Sequence, residues 1–379
     1  MPAKIPAWWT RRGPMAALLL PLAFIFQALS AFRRDLYRRG WRKVERLPVP
    51  VIVVGNIAVG GSGKTPVVDW LVRTLRTAGW RPGIVSRGYG GQIRGVALLP
   101  QNPDPMLYGD EPVLLARLTG VPVAVGADRP AAARALLAAH GDCDVIVCDD
   151  GLQHYRLARD VEIVVLDEAT LGNRWRLPAG PLREGVNRLR EADLLLAHGA
   201  LSPTLQRMIE GLTVFPMRLS GTVFRSLRDP GNLVDAGHFA GRTVHAFAGI
   251  GRPARFFDHL RALGLDVVEH AFADHHAFCE ADLLPSLAMP KVMTSKDAVK
   301  CVAFAPEDCW ELPVVADIPA GAIERILEKL SHGRQTARHP RVPDLQRAAR
   351  LPQGQAGSGV QSGSSGVSDP RRHSGDVGG

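Results

Sequence analysis

No C-x-x-C pair occurs in these 379 residues, and the five cysteines (Cys143, Cys148, Cys279, Cys301 and Cys309) are an odd number. That pattern fits no disulfide framework, so the thiols read as free ones in a reducing compartment. No internal repeat at a solenoid period is visible, which removes stacked-repeat architectures. The basic charge is not spread over a folded face either. Net charge is +9, yet ten Lys/Arg against only Asp35 and Glu45 precede Val49. A nucleic-acid binder would more often distribute that surplus, so no nucleic-acid partner is expected. Nor does the long uncharged run Pro14–Phe32, PMAALLLPLAFIFQALSAF, reach across a bilayer comfortably. As a helix it would measure ~28 Å against ~30 Å of hydrocarbon.

Three readings of that run compete. Ala28-Leu29-Ser30-Ala31 is roughly cleavage-like, but a cleaved signal peptide would export a nucleotide-binding domain to a place without ATP. A core helix of the soluble domain is the second. The third is a membrane anchor, either a short span weakened by Pro21 and Gln27 or a helix lying in the interface. Arg11 and Arg12 before the run, and Arg33, Arg34, Arg38, Arg39, Arg42 and Lys43 after it, suit lipid headgroups. Trp8, Trp9, Tyr37 and Trp41 suit the interfacial zone. Residues 1–48 are therefore expected to associate with a membrane, at a depth the sequence leaves open.

From Val49 to about Ala200, apolar runs alternate with helical patterns. Strands are predicted at Val49–Val54, Pro82–Ser86, Val121–Val125, Asp144–Cys148, Val161–Leu166 and Asp193–Ala197, and helices at Pro66–Ala78, Glu111–Thr119 and Arg129–His140. Continuous apolar strands between helices mean a mostly parallel, doubly covered α/β sheet. The style returns more weakly over Arg242–Leu330, predicting a second, smaller α/β lobe. Its strands fall near Thr243–Ala248, Asp266–Ala271, Val292–Thr294 and Val314–Asp317, and its helices at Pro253–Leu263 and Gly321–Leu330. The expected division is a nucleotide-binding domain over 49–240, the small lobe over 241–331, and a disordered tail over 332–379. The tail's Arg, Pro, Gln, Gly and Ser cannot bury enough apolar surface to offset ordering entropy.

Gly60-Gly61-Ser62-Gly63-Lys64-Thr65 follows a predicted strand and opens a predicted helix, the context a P-loop requires. Glycines let backbone N–H groups turn inward, and the helix N-terminus adds partial positive charge. Lys64 can reach the β/γ phosphates and Thr65 can offer a hydroxyl to Mg²⁺. The first motif glycine falls on Ala58, so the loop is a variant. A metal partner should be an acid ending an apolar strand. Asp149 and Asp150 stand there, followed by Gly151, Leu152, Gln153 and His154. The bland alternative is a pair of acids capping a strand end.

Further marks lie along both lobes: Val54-Gly55-Asn56 with Gly60–Pro66, Ser86–Gly91, Gly109–Pro112, Asp149–His154, Leu177–Glu184, Phe272–His276 and Thr294–Asp297. In order and together, they resemble the tetraacyldisaccharide 4'-kinase family over roughly Trp41 to Leu330. The resemblance implies an ATP- and Mg²⁺-dependent kinase with a P-loop NTPase-like sheet, acting on the 4'-hydroxyl of an acylated glucosamine disaccharide 1-phosphate in lipid A biosynthesis. It also implies residue roles. Asp110 aligns with a carboxylate that helps activate the sugar hydroxyl, and His275 with a histidine working beside it. Glu184 aligns with an acid near the metal. Gln153 and His154 would orient phosphate or nucleotide, and Arg87 would clamp a substrate phosphate bidentately. Read from the residues alone, Asp110 could be a helix N-cap, His275 a satisfied core histidine, Arg87 a solvated loop arginine and Glu184 an exposed loop acid. Lys296 and Asp297 resemble a guanine-specifying N-K-x-D element with the lysine one place late, so ATP is favoured over GTP.

The resemblance further implies a lipid substrate, the cytoplasmic face of the inner membrane as workplace, and no obligate protein partner. Two rivals of other classes stand beside it. A nucleotide-driven membrane-positioning ATPase would want its signature lysine where Val59 stands. A GTP-dependent metal-insertion chaperone would want a Cys/His metal-handling motif, which the sequence does not offer.

Overall fold

A computed structural model describes residues 6–284 and 289–336, so the tail expected over 332–379 lies almost wholly outside the described residues. Fifteen strands are described: β1 Val51–Gly55, β2 Pro82–Ser86, β3 Val96–Leu98, β4 Val123–Gly126, β5 Val145–Asp149, β6 Val161–Asp167, β7 Leu194–His198, β8 Val214–Ser220, β9 Phe224–Ser226, β10 Leu233–Val234, β11 Thr243–Ala248, β12 Asp266–Ala271, β13 Lys291–Thr294, β14 Cys309–Leu312 and β15 Val315–Asp317. Nine form one sheet in the order β15-β8-β7-β6-β1-β5-β2-β4-β3, and six form a second in the order β10-β9-β14-β13-β11-β12.

The first sheet is parallel from β8 through β4, with antiparallel β15 and β3 at its edges. Its central strands β1, β5 and β6 are buried along their whole length, as a parallel sheet covered on both faces demands. The helix Lys64–Thr77 covers one face with Val68, Leu71, Val72 and Leu75, the i, i+3, i+4, i+7 stripe of an amphipathic helix. Each such side chain contributes about 1.5–3 kcal/mol by leaving water. The helix Arg129–Ala139 packs Ala132, Ala133 and Leu136 on the other face.

The second sheet carries its own two cores. Phe256, Phe257 and Leu260 of the helix Pro253–Ala262 cover one side, and Ala298 and Cys301 of the helix Ser295–Cys301 the other. The chain does not divide as sequence spacing suggests. β9, expected in the nucleotide-binding domain, already belongs to the second sheet. β15 and the helix Ala320–Thr336, expected in the small lobe, return to the first. The reason is local: β15 pairs with the edge strand β8, and Ala322, Ile326 and Leu330 then lie against the large core.

At the N-terminus the expected single helix is two, Pro14–Leu18 and Leu20–Arg38. Pro21 has no N–H to continue the ladder, and its ring crowds the carbonyl four residues back. Arg33, Arg34, Asp35 and Arg38 fall inside the second helix. Among the described residues no helix is long and apolar enough to cross a membrane. Met15, Leu18, Leu22, Phe24, Ile25, Leu29 and Phe32 are all exposed. Ahead of these helices, Trp8 and Trp9 both donate an indole N–H to Pro178 O (3.3 and 3.0 Å), which ties the segment to the large lobe.

Candidate active site

β1 ends at Gly55, and the chain turns through Asn56–Gly63 into the helix Lys64–Thr77. Two features fix that turn. Asn56, almost fully buried, donates from Nδ2 to Ser62 Oγ (3.0 Å). Gly63, the helix N-cap, sits at φ 86°, in the left-handed region that glycine enters without steric cost. The helix N-terminus and Lys64 therefore open at the carboxyl edge of the sheet, where open α/β sheets bind ligands.

Beside this loop β5 delivers Asp149 and the following turn Asp150. Asp150 stands at φ 46° and is held by Arg183 (2.9 Å) and Lys64 (3.6 Å). Burial pushes its carboxyl up, but Lys64 and Arg183 outweigh that and hold it below the ordinary carboxylate range. Asp149 accepts from Ser86 Oγ (3.1 Å) and is buried. Burial first, then Glu111 and Asp150, push it up to about 7. Clustered acids that cannot all ionise comfortably are the donor chemistry a hard divalent cation takes. No three His, Cys, Asp or Glu side chains among the described residues are grouped to enclose a metal by themselves. A cation here would complete its shell with a hydroxyl such as that of Thr65 and with nucleotide phosphates.

Glu184 is not the exposed loop acid of the bland reading. It is buried, accepts from Tyr155 Oη (2.5 Å) and Gln153 Nε2 (3.0 Å), and pairs with Arg188 (3.4 Å) and Arg34 (3.7 Å). Gln153 also donates to Asn56 O (3.0 Å), so the pair braces the floor of the phosphate loop. His154 is half-buried. Burial, with Arg129, Arg159 and Arg33 nearby, pushes it down to about 4, so it is neutral at physiological pH. Arg87 is exposed on the loop after β2.

The second wall is built from both lobes. Asp110 opens the helix Asp110–Thr119 in the large lobe, and His275 lies between β12 and β13, 165 residues later. Fold topology brings them together: His275 Nδ1 is 3.1 and 3.0 Å from the two Asp110 oxygens. His275 is held at φ 61°, an unusual backbone state for a residue with a Cβ. The Asp110 contact holds its imidazole above the ordinary range, with burial and Lys296 opposing. Burial pushes Asp110 up, but His275, Lys296 and Lys300 outweigh it and hold the carboxyl below the ordinary range. The wall abuts the phosphate loop. A Cβ placed on Gly251, in the loop after β11, would lie 3.8 Å from Gly61 N and 3.5 Å from Asp274 Oδ2.

Several further residues here were noted in the sequence only as members of motifs, with no role of their own. Lys296 Nζ meets Glu111 (3.1 Å), Asp274 (3.4 Å) and His275 Nε2 (3.3 Å). Asp297 is buried, accepting from Gly249 N (2.9 Å) and Lys300 (2.8 Å). Glu111 and Ser86 belong to the motifs Gly109–Pro112 and Ser86–Gly91, and motif membership was their only signal.

A phosphate loop on a parallel sheet, abutted by a wall that carries an acid–histidine pair, defines a P-loop phosphotransferase. The family model for tetraacyldisaccharide-1-P 4'-kinase matches residues 15–331. The chain belongs to that family of kinases, which phosphorylate a lipid A precursor. The tetraacyldisaccharide 4'-kinase of Aromatoleum aromaticum is 63% identical over 337 residues, covering 89% of this chain and 100% of that protein. Its counterpart in Dechloromonas aromatica is 48% identical over 328 residues, covering 86% and 96%. A crystal structure described as the "apo" form of LpxK from Aquifex aeolicus in complex with ATP matches with a TM-score of 0.71 at 31% identity, covering 84% of this chain and 99% of that one.

Proposed function

We propose that this kinase transfers the γ-phosphoryl of ATP to the 4'-hydroxyl of an acylated glucosamine disaccharide 1-phosphate, in the cleft between the two lobes, while seated on the cytoplasmic face of the inner membrane. The observation that carries the reading is the 3.0 Å pairing of His275 with Asp110 where the two lobes meet, with the Gly251 loop of the same wall against Gly61.

In this reading the backbone N–H groups of Gly60–Gly63 and the Lys64 ammonium bind the β/γ phosphates and neutralise charge that develops during transfer. Thr65, Asp149 and Asp150 would hold Mg²⁺, which supplies Lewis-acid charge neutralisation when bound. Glu184, with Gln153, supports the loop from beneath. Asp110 accepts the proton of the attacking hydroxyl, and His275 orients that carboxylate. Arg87, exposed at the rim, meets a substrate phosphate, and neutral His154 lines the nucleotide side. The exposed face from Met15 to Phe32 lies in the membrane interface with its arginines on anionic headgroups, so acyl chains stay in lipid while the sugar enters the cleft.

The test is transfer itself. Purified protein is incubated with γ-labelled ATP and the monophosphorylated disaccharide lipid. Label on the lipid is expected; release of free phosphate alone would favour a switch ATPase. Asp110→Asn is expected to abolish transfer while keeping nucleotide affinity, and loss of ATP binding instead would remove Asp110 from the role of base.

A further inference from the structure

One ammonium stands at the centre of the second wall, and the reading above gives it no task. Lys296, on the helix Ser295–Cys301, places Nζ 3.1 Å from Glu111 Oε1, 3.4 Å from Asp274 Oδ1, 4.0 Å from Asp110 Oδ2 and 3.3 Å from His275 Nε2. Two large-lobe acids, one small-lobe acid and one imidazole thus meet a single cation. Burial works against that cation, but Glu111, Asp110 and Asp274 outweigh it and hold Lys296 charged, above its ordinary range.

A lysine ammonium has three donors and no acceptor. A neutral imidazole that meets it must therefore present a lone pair at Nε2. The ring proton is then on Nδ1, the nitrogen 3.0 and 3.1 Å from the two oxygens of Asp110. Tyr89 packs edge-on against the same ring, with centroids 5.1 Å apart, and closes another side of its cage.

We propose that Lys296 is a positioning residue for phosphoryl transfer: it locks neutral His275 as the Nδ1–H tautomer and occupies Nε2, leaving Asp110 as the proton acceptor. The idea deepens the proposed function and rests on its assignment of Asp110 and His275. In the step itself, the acceptor oxygen bonds to the γ-phosphorus as the bond from that phosphorus to the β–γ bridging oxygen breaks. ADP leaves with the electron pair, and the hydroxyl proton goes to Asp110. His275 gains and loses no proton; its Nδ1–H bond steadies the carboxylate.

The tautomer is directly observable. Protein labelled with ¹⁵N-histidine is examined by long-range ¹H–¹⁵N correlation over a pH series, the tautomer being read on the high-pH plateau, with His275→Gln identifying the resonances. Wild type is expected to show one His275 tautomer, protonated at Nδ1. Lys296→Met is expected to show mixed tautomers and a kcat about 10–100-fold lower, with KM for ATP within about twofold. Lys296→Arg, which keeps charge and donors, should recover much of that loss. An Nε2–H ring in wild type, or wild-type kcat in Lys296→Met, overturns the proposal. If Lys296→Met fails to fold, the wild-type spectrum still decides. Asp110→Asn that retains transfer would instead sink the underlying assignment of the base, so the two failures are distinguishable.

Discussion

The two walls of the cleft are built on different principles. The phosphate wall is mostly backbone: a glycine turn, a helix N-terminus, one lysine, and acids that end a neighbouring strand. Its order is enforced by a local contact, Asn56 to Ser62 at 3.0 Å, six residues apart. The wall that carries His275 is side chain against side chain, and its defining contacts span 165 and 185 residues. A backbone cradle fixes the triphosphate whatever the acceptor is. A side-chain wall can take the acceptor's proton only when both lobes are in register. Nucleotide binding should accordingly tolerate damage to the second wall, while transfer should not.

The largest effects test that separation directly. Asp110→Asn should lower kcat by about 10²–10⁴, the range of a lost general base, with ATP affinity unchanged in titration calorimetry. Lys64→Ala should lose ATP affinity together with about 10²–10³ in kcat. Equal effects of both substitutions on ATP affinity would dissolve the distinction between the walls. Next in size is a change far from the chemistry. Glu311 is fully buried on β14, pairing Arg225 of its own lobe (2.6 Å) with Arg117 of the large-lobe helix that begins at Asp110 (2.9 Å). Glu311→Gln leaves two guanidinium groups uncompensated and should cost about 3 kcal/mol in urea unfolding. Wild-type stability in that variant would show that this pair does not join the lobes.

How much of this could be read beforehand follows the same divide. The glycine loop, the strand ending in Asp149 and the parallel architecture were legible because each is a pattern within one short window. Lobe membership was not: Val315–Asp317 has the composition of any strand, and only its pairing with β8 assigns it to the large sheet. Asp110 and His275 were flagged through family motifs, since nothing in local spacing relates positions 165 apart. Lys296 was noted within the Thr294–Asp297 mark and for its near-match to a nucleotide-reading pattern, with no role of its own, because its carboxylate partners arrive from elsewhere in the chain. Glu184 was flagged only through the resemblance, as an acid near the metal; its burial and its bond from Tyr155 come from residues that local spacing does not relate to it.

A third region, the N-terminal helices, belongs to neither wall, and its contribution should be separable from both. Leu22 and Ile25 are exposed on the second helix. Replacing both with Glu removes apolar faces worth about 1.5–3 kcal/mol each and adds charge that anionic lipid repels. Sedimentation with anionic vesicles should fall about 100-fold or more, on the conservative end of that range. Turnover of acceptor presented in detergent should stay near wild type. Loss of detergent activity as well would make the helix part of the acceptor site.

The smallest effect concerns the pairing of the lobes in the absence of substrate. His275 titrates above its ordinary 6.5 and Asp110 below its ordinary 3.8. The imidazolium's share of folding stability is fully present below 6.5 and fades as pH rises through the raised folded value. The carboxylate's share is present above 3.8 and fades as pH falls through the lowered one. Between those limits the salt bridge spans the lobes at full strength, and above them a neutral hydrogen bond remains. Lys296 and Lys300 still face Asp110, with Glu111 and Asp274 on Lys296, so the lobes stay attracted at every pH in this window. His275→Gln should therefore destabilise the protein more at about pH 5.5 than at about pH 9, measured by urea unfolding at both. An equal or reversed difference would mean that Lys296, not Asp110, dominates the charge His275 experiences.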